Sequence, residues 1–563
     1  MNSIDAKLLT GMFLSGAQNL EEHKEWINEL NVFPVPDGDT GTNMSMTILS
    51  AVKEVISLEG EPVMKPVCKA ISSGSLRGAR GNSGVILSQI LRGFCKIARE
   101  QQELTVPVMA DAVDKAVETA YKAVMKPKEG TILTVARGAA EKSRELADSG
   151  IEDFDEYLPQ VTAYAEEVLA QTPEMLPVLK QAGVVDSGGQ GLVQILKGAV
   201  AYYQGETQKA EDFVYRINHP EESVSDKEAA DESALKDIRC VYATEYTILT
   251  EKTLNSKAEK DFRKFLEAVS EEVSYTASEG MIRISLNTND PGLVLQRGLM
   301  YGELTEISII NRKNPVKPVS TPAEENIPEA ANEPVQEPAV SAEKKDIGFV
   351  AVAAGDGLAE IFRSLGVDVV ISGGQTMNPS TEDILKAVET VNADTVFVLP
   401  NNKNIIMAAS QAASLVSEKQ VLVIPTRTIP QGISAVINYI PDPDTQKVYE
   451  DMKEAASAVR SAEVTYAVRD TEIDGTQIHE GNMMAIGDSG IAAVGQDRNR
   501  TSLEALQAMA QDGAELISIY YGAEVTEEEA SAFAKIVAEK FPDCEIELQY
   551  GGQPVYYYIL SAE

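Results

Sequence analysis

A proline-rich segment sets the first limit on how this chain can fold. Between Lys313 and Asp346, prolines alternate with Glu, Ala and Asn, and no aromatic residue occurs. Such a composition buries too little apolar surface to form a core and is typical of an extended, acidic linker. Separate folded domains are therefore expected before and after it.

The length of 563 residues also favours several domains, at roughly 100–200 residues for each. A second, weaker break occurs where acidic residues dilute the apolar pattern after residue 204. The predicted organisation is a helical domain over 1–204, an acidic linker over 205–237, an α/β middle domain over 238–312, the proline-rich linker over 313–346 and a C-terminal α/β region over 347–563.

The apolar periodicity differs between these regions. In the first region, Leu87, Leu91 and Phe94 recur at helical spacing. The C-terminal region opens with four β-branched runs that are typical of a parallel sheet buried on both faces. These runs are Ile347–Ala351, Val367–Ile371, Thr395–Leu399 and Val421–Ile424. A second α/β lobe is predicted after Thr465, so the predicted fold class is multidomain α and α/β.

The charge balance excludes several function classes. Lys and Arg number 49 against 87 Asp and Glu, a net charge of −38 that repels nucleic acids and anionic lipid surfaces. An anionic substrate would need a metal or a locally basic pocket. No apolar run reaches the length of a membrane span, and the four scattered cysteines indicate no disulfide framework. A cytoplasmic protein is expected.

The strongest chemical signal is a paired carboxylate that follows two prolines. Pro34 and Pro36 favour an extended approach, in which Asp37 and Asp39 project to the same side, roughly 6–7 Å apart at Cα. Such a pair suits Mg²⁺, which takes one or two carboxylates together with water and phosphate oxygens. The four residues after the pair add close backbone approach and hydrogen-bond donors at a helix start: Thr40, Gly41, Thr42 and Asn43.

Two other interpretations of this motif remain. An Asx-turn with an N-cap uses the same residue types. An EF-hand fits less well, because Thr42 stands where its glycine is needed and Ile48 where its bidentate Glu is needed.

A second glycine-rich stretch, Gly78–Gly84, leads into a predicted helix. Ser83 and Gly84 lie at its start, and Arg80 is the candidate catalytic cation. The alternative is a tight helix–helix connection. No Walker A pattern occurs in the chain. Two further loops, Lys126–Thr134 and Ala182–Gly191, are also polar and rich in glycine, so we expect all four loops to form one site at the end of a helical barrel.

Four stretches together resemble the ATP-binding subunit of bacterial fatty acid kinase. They are Pro34–Met44, Gly78–Gln89, Glu129–Val135 and Val184–Gly191. The first domain is similar to the L subunit of dihydroxyacetone kinase (DhaL), which implies an all-helical barrel that holds ATP and two Mg²⁺ at one end. The resemblance spans the whole chain and is most specific in the first domain.

The resemblance implies roles for individual residues. Asp37 and Asp39 would ligate Mg²⁺, and Asn31 stands nearest to a third Asp that the sugar-kinase relatives carry. The nucleotide-contacting loops align with a larger set: Thr40, Gly41, Thr42, Asn43, Ser83, Gly84, Thr131, Asp186, Ser187 and Gly188.

The implied reaction is phosphorylation of a fatty acid that a separate DegV-type fatty-acid-binding protein presents, giving an acyl phosphate for phospholipid synthesis. A fatty carboxylate is ionised at pH 7 and needs no general base to attack a phosphorus atom. The alternatives are a non-catalytic nucleotide-binding regulator of the carrier and a glycerone-type small-polyol kinase. The polyol kinase fits less well, because none of the three histidines lies near the motifs to hold a substrate covalently.

The middle domain departs from the family pattern. Members carry Tyr-Cys-Thr-Glu and a His-x-His, which together look like a metal site. Here Ala243 replaces the cysteine, and Ser285 and Asn287 replace the histidines. We therefore expect no zinc in this domain, and a structural role that includes formation of a homodimer. The C-terminal region looks similar to the DegV-type carriers, and docking of the carrier is the hypothesis for this half.

Overall fold

The computed structural model describes most of the chain. The described residues are 1–31, 38–124, 126–206, 210, 213–215, 217, 242–249, 262–266, 270–278, 281–288, 291–298, 301–311, 344–374, 377–467, 470–473, 476–488, 490–510 and 513–563. They fall into two compact units, one combining Met1–Asn218 with Pro338–Glu563 and the other within His219–Glu337. Most of the proline-rich linker and most of the acidic linker lie outside the described residues, and the last two residues of the predicted proline-rich linker belong to a strand that begins at Lys345.

Ten helices form the described part of the N-terminal domain. They are α1 Ala6–Glu22, α2 Lys24–Glu29, α3 Thr40–Ile56, α4 Met64–Arg77, α5 Gly81–Ala98, α6 Val106–Ala123, α7 Ile132–Asp148, α8 Phe154–Met175, α9 Pro177–Ala182 and α10 Ser187–Tyr203. Helix α10 packs against α1, α3 and α7, which closes the bundle into a barrel. One buried apolar cluster runs through it and includes Met44, Leu87 and Phe154. The predicted all-helical barrel is therefore confirmed.

The helical core extends past residue 204. Ala210 and Phe213 are 3% and 4% exposed and belong to the same cluster as Met44. Both lie in the range 205–237 that was interpreted as an acidic linker. That boundary is too early, because the acidic residues around these two positions hide a short continuation of the apolar pattern.

The middle domain is an antiparallel sheet with helices. Its strands are β1 Tyr242–Leu249, β2 Ser270–Ser278, β3 Met281–Thr288 and β4 Glu303–Asn311, in the order β2-β3-β1-β4. Residues 262–266 are helical, and helix α11 spans Pro291–Gly298. Tyr246, Phe262 and Ile284 lie in its buried core. The strand β2 was not predicted.

The C-terminal region begins with a four-stranded parallel sheet. Its strands are β5 Lys345–Ala353, β6 Val369–Ser372, β7 Ala393–Leu399 and β8 Gln420–Val423, in the order β6-β5-β7-β8. The surrounding helices are α12 Asp356–Ser364, α13 Thr381–Thr390, α14 Ile406–Leu415, α15 Ile429–Ile437 and α16 Thr445–Ala458. All four predicted apolar runs are confirmed as parallel strands.

A second lobe follows, built on a six-stranded mixed sheet of order β13-β12-β9-β16-β14-β15. Its strands are β9 Arg460–Tyr466, β12 Met483–Gly487, β13 Gly490–Gly495, β14 Leu516–Tyr521, β15 Glu545–Tyr550 and β16 Tyr558–Ala562. The hairpin β10 Thr471–Ile473 with β11 Thr476–Ile478 stands apart, and helices α17 Arg498–Met509 and α18 Glu527–Lys540 complete the lobe.

The parallel sheet domain packs directly onto the helical barrel. Ala79 and Val85, which flank the start of α5, are buried in one apolar cluster with Val350, Ile384 and Ala408 of the C-terminal region. The Thr381 N–H donates to the carbonyl oxygen of Ala79 at 3.0 Å. The linker composition gave no indication of this shared core.

Among the described residues, no helix combines the length and the apolar character that crossing a membrane requires.

Candidate functional site

Asp39 lies at the N-cap position of α3 but does not cap that helix. Its carboxylate instead accepts a hydrogen bond from Asn378 Nδ2 of the C-terminal region, at 2.7 Å. The side chain is half-buried. Since an Asp at this position usually bonds its own helix, the contact argues against the simple N-cap interpretation of the motif. Asp37 lies outside the described residues, and Asn31 is buried immediately before them.

The first turn of α3 is fixed against α2. Asn28 accepts a hydrogen bond from the Thr42 N–H at 3.1 Å and donates one to Thr42 Oγ1 at 3.0 Å. A β-carbon on Gly41 would lie 2.1 Å from the carbonyl oxygen of Lys24, so only glycine allows this approach. Two predicted nucleotide contacts, Gly41 and Thr42, therefore also hold the loop in place. Asn28 was not predicted, because an isolated Asn on a helix gives no sequence signal.

The start of α5 lies against the start of α3. A β-carbon on Gly81 would lie 2.6 Å from Asn43 Nδ2, and one on Gly84 would lie 2.3 Å from Thr47 Oγ1. Thr40 and Asn43 are buried, whereas Ser83 is half-buried. The glycines in the second motif thus bring two helix N-termini together, as the tight-connection interpretation also requires.

The starts of α7 and α10 join the same group. The carboxylate of Asp186 caps α10 by accepting from the Gly189 N–H at 2.7 Å, and it also accepts from the backbone N–H of Ile132 at the start of α7. Thr131 Oγ1 donates to the Lys128 carbonyl oxygen at 2.9 Å, which ties down the loop before α7. Ser187 and Gly188 are buried between these helices.

A further contact links this pair of helices to α3. A β-carbon on Gly191 of α10 would lie 2.7 Å from Met44 Sδ of α3. The N-termini of α5, α3, α10 and α7 therefore adjoin in that order at one end of the barrel. Because helix N-termini present unsatisfied N–H groups and a positive dipole end, the group favours phosphate.

The guanidinium of Arg80 is turned toward the C-terminal region. Its Nη1 donates to the Asn378 carbonyl oxygen at 2.6 Å, and Nη2 lies 3.4 Å from Asp383 Oδ2. Arg80 was predicted as a catalytic cation from the neighbouring glycines. The structure shows its guanidinium at the contact with the C-terminal region, where Asn378 lies between it and the carboxylate of Asp39, and the catalytic role stays a prediction.

The donor set at Asp39 fits a hard divalent cation. The carboxylate of Asp39 accepts a hydrogen bond from Asn378 Nδ2, so the amide faces it with its donor and not with its oxygen. A carboxylate oriented in this way is a ligand that Mg²⁺ accepts. No group of three or more His, Cys, Asp or Glu in the described part of the chain could hold a metal, but that part excludes Asp37. Ser285 stands where family members carry one of the two histidines, and its side chain lies outside the described part of the structure. The absence of zinc therefore stays a prediction.

Asp186 gives a pH-dependent prediction. Burial raises the pKa of Asp186 to about 6, against the lowering effect of its two backbone hydrogen bonds. This pKa lies above that of Asp in the unfolded chain, so the folded state favours protonated Asp186. The stability of the wild-type protein therefore falls as the pH rises through 6 and this carboxyl group loses its proton. Asp186→Asn keeps the shape without the charge. The free energy of unfolding of this variant minus that of wild type should rise by about 1 kcal/mol between pH 5 and pH 7.5. Denaturant titrations at each pH measure this difference.

The matched control for Asp186→Asn is Asp497→Asn. Asp497 also caps a helix through a backbone hydrogen bond, to Arg500 at 2.8 Å, but it is exposed. A constant difference between Asp186→Asn and wild type across this pH range would contradict the prediction.

Three family models match the chain. The DAK2 domain matches residues 34–201. The middle domain of FakA-like fatty acid kinase proteins matches 239–316, and the C-terminal domain of the same proteins matches 348–563.

Comparison with individual proteins extends these matches. YloV of Bacillus subtilis (strain 168) is 41% identical over 567 residues, covering 100% of both chains. The dihydroxyacetone kinase from C. freundii in complex with AMP-PNP and Mg²⁺ is 14% identical with a TM-score of 0.31, covering 56% of this chain and 57% of that one. The Streptococcus pneumoniae fatty acid kinase B3 protein loaded with linoleic acid is 11% identical with a TM-score of 0.27, covering 38% of this chain and 99% of that one.

Proposed function

The chain belongs to the FakA-like family of fatty acid kinase proteins, and from that premise we propose that it transfers the γ-phosphoryl group of Mg·ATP to a fatty acid carboxylate. The acid is presented by a separate DegV-type fatty-acid-binding protein, and the product is an acyl phosphate. The observation that carries the proposal is a carboxylate, Asp39, that leaves its own helix uncapped beside four adjoining helix N-termini.

The four N-termini serve to bind the phosphates. Their backbone N–H groups and positive dipole ends offset the charge of a nucleotide in a chain whose net charge of −38 would otherwise repel it. Thr40, Asn43, Ser83, Thr131, Ser187 and Gly188 lie at these helix starts and are the proposed contacts.

Asp39, together with Asp37 and Asn31, would hold Mg²⁺, two ions being the proposed number. The cation supplies neutralisation of the phosphate oxygens and so lets a second anion approach. Asn28 keeps the first turn of α3 in register with α2, which fixes the backbone next to Asp39. Positioning of this kind lowers the barrier, because the reacting groups are held in place before they react. The attacking carboxylate is already ionised and needs no base.

The proposal is tested by ADP release from Mg·ATP with and without an acyl-loaded DegV-type carrier, together with trapping of the product by hydroxylamine. Carrier-dependent ADP release with formation of a hydroxamate is expected, since acyl phosphates acylate hydroxylamine. The empty carrier is the control. Binding of ATP without carrier-dependent turnover would favour a regulator, and turnover with dihydroxyacetone alone would favour a small-polyol kinase.

A further inference from the structure

We propose that Asn378, from the C-terminal region, is a positioning residue of the nucleotide–metal site in the helical domain. This inference rests on the proposed function, because it assigns a role to the side chain that contacts Asp39. Asn378 is separated from Asp39 by 339 positions, yet its amide lies 2.7 Å from the carboxylate.

The orientation of the Asn378 amide follows from the chemistry of its partner. An ionised carboxylate only accepts hydrogen bonds, so Nδ2 must face Asp39 and Oδ1 must face away. That Oδ1 is buried and has no hydrogen-bond partner within the described ranges, in a residue that is only 2% exposed. The amide is therefore held with its donor group toward Asp39.

The backbone around Asn378 is held from several sides. Gly374 and Met377 pair through two backbone hydrogen bonds just before it. Ser380 caps α13 just after it, in a reciprocal pair with Asp383. Arg80 binds the carbonyl oxygen of Asn378 itself. The side chain therefore has little freedom to leave Asp39.

An ionised carboxylate has about four lone-pair sites, so a fixed donor on one of them orients the group and still leaves it able to bind a cation. Partners of this kind tune metal affinity, and their removal typically costs about 10–100-fold. Docking of the parallel sheet domain on the barrel thus completes the site, and a change in that docking would change the affinity for metal-bound nucleotide.

The test measures binding of ATP to the full chain with Mn²⁺ and, separately, with EDTA. Asn378→Ala should weaken the Mn·ATP affinity by about 10–100-fold and leave the affinity for metal-free ATP within about twofold. The control is Asn404→Ala. Asn404 accepts its hydrogen bond across the same interface from Asn82, at 3.1 Å, so both affinities of this variant should stay within about twofold of wild type.

Melting temperatures of Asn378→Ala and Asn404→Ala report any loss of folding. If Asn378→Ala unfolds, Asn378→Ser replaces it, because the serine hydroxyl is too short to reach Asp39. Equal Mn·ATP affinities for Asn378→Ala and Asn404→Ala would overturn the inference alone. If wild type shows no metal-dependent binding of ATP, the proposed function fails and the inference fails with it.

Discussion

Asp39→Asn should lower carrier-dependent phosphoryl transfer by at least about 100-fold while leaving the protein folded. Asn has nearly the same shape, and it retains an oxygen that can accept from Asn378 Nδ2. It lacks the negative charge that attracts a divalent cation. The loss should therefore appear in turnover and in metal-dependent affinity for ATP, both measured at saturating carrier.

Asp497→Asn serves again as the control for removing a carboxylate. It changes a helix cap in the second C-terminal lobe, and Asp and Asn are nearly equivalent as caps. Turnover of this variant should match wild type. Retention of wild-type turnover within about threefold by Asp39→Asn would place the metal elsewhere and remove the basis of the proposed site.

The sequence predicted the helix starts around this candidate site well. Each glycine-rich motif marks one helix start, and the signals for a helix start lie within a few residues. What the sequence did not predict is the set of distant partners. Asn28 and Asn378 hold Thr42 and Asp39 through contacts that no periodicity or spacing encodes.

The same limit separates the predicted strands from the missed ones. The buried parallel strands, such as β7, are continuous apolar runs in the sequence. Five of the nine residues of β2 are Ser or Glu, and β13 is mainly Gly and Ala, so neither has a strong intrinsic preference for a strand. Pairing with β3 and with β12 determines them instead.

The largest difference between sequence and structure concerns the two halves of the chain. A long linker favoured independent domains, yet Ala79 and Val85 share a buried cluster with the parallel sheet domain. Beside that cluster, Gln89 Nε2 donates to Gln411 Oε1 at 2.8 Å. The linker permits separation, but the apolar surface around Gly78–Gly84 favours contact, and this contact brings Asn378 to Asp39.

Arg80→Ala should lower the Mn·ATP affinity about 10–100-fold by releasing Asn378, and not by removing a cation from the phosphates. The two alternatives differ in how Arg80 and Asn378 combine. If Arg80 acts only through Asn378, the double variant Arg80→Ala/Asn378→Ala should bind Mn·ATP no more weakly than Asn378→Ala alone. If Arg80 touches the phosphates directly, the two losses should multiply, because independent effects add in free energy.

Arg77→Ala is the matched control for this cycle. Arg77 lies three positions before Arg80 and forms a partly exposed ion pair with Glu54 at 2.6 Å. Such pairs contribute at most about 1 kcal/mol to stability, so the variant should fold and bind Mn·ATP like wild type. If the two losses of Mn·ATP affinity multiply in the double variant while Arg77→Ala binds like wild type, Arg80 has the catalytic role that its motif suggested. If the double variant loses only as much affinity as Asn378→Ala, Arg80 acts by joining the two domains next to the metal.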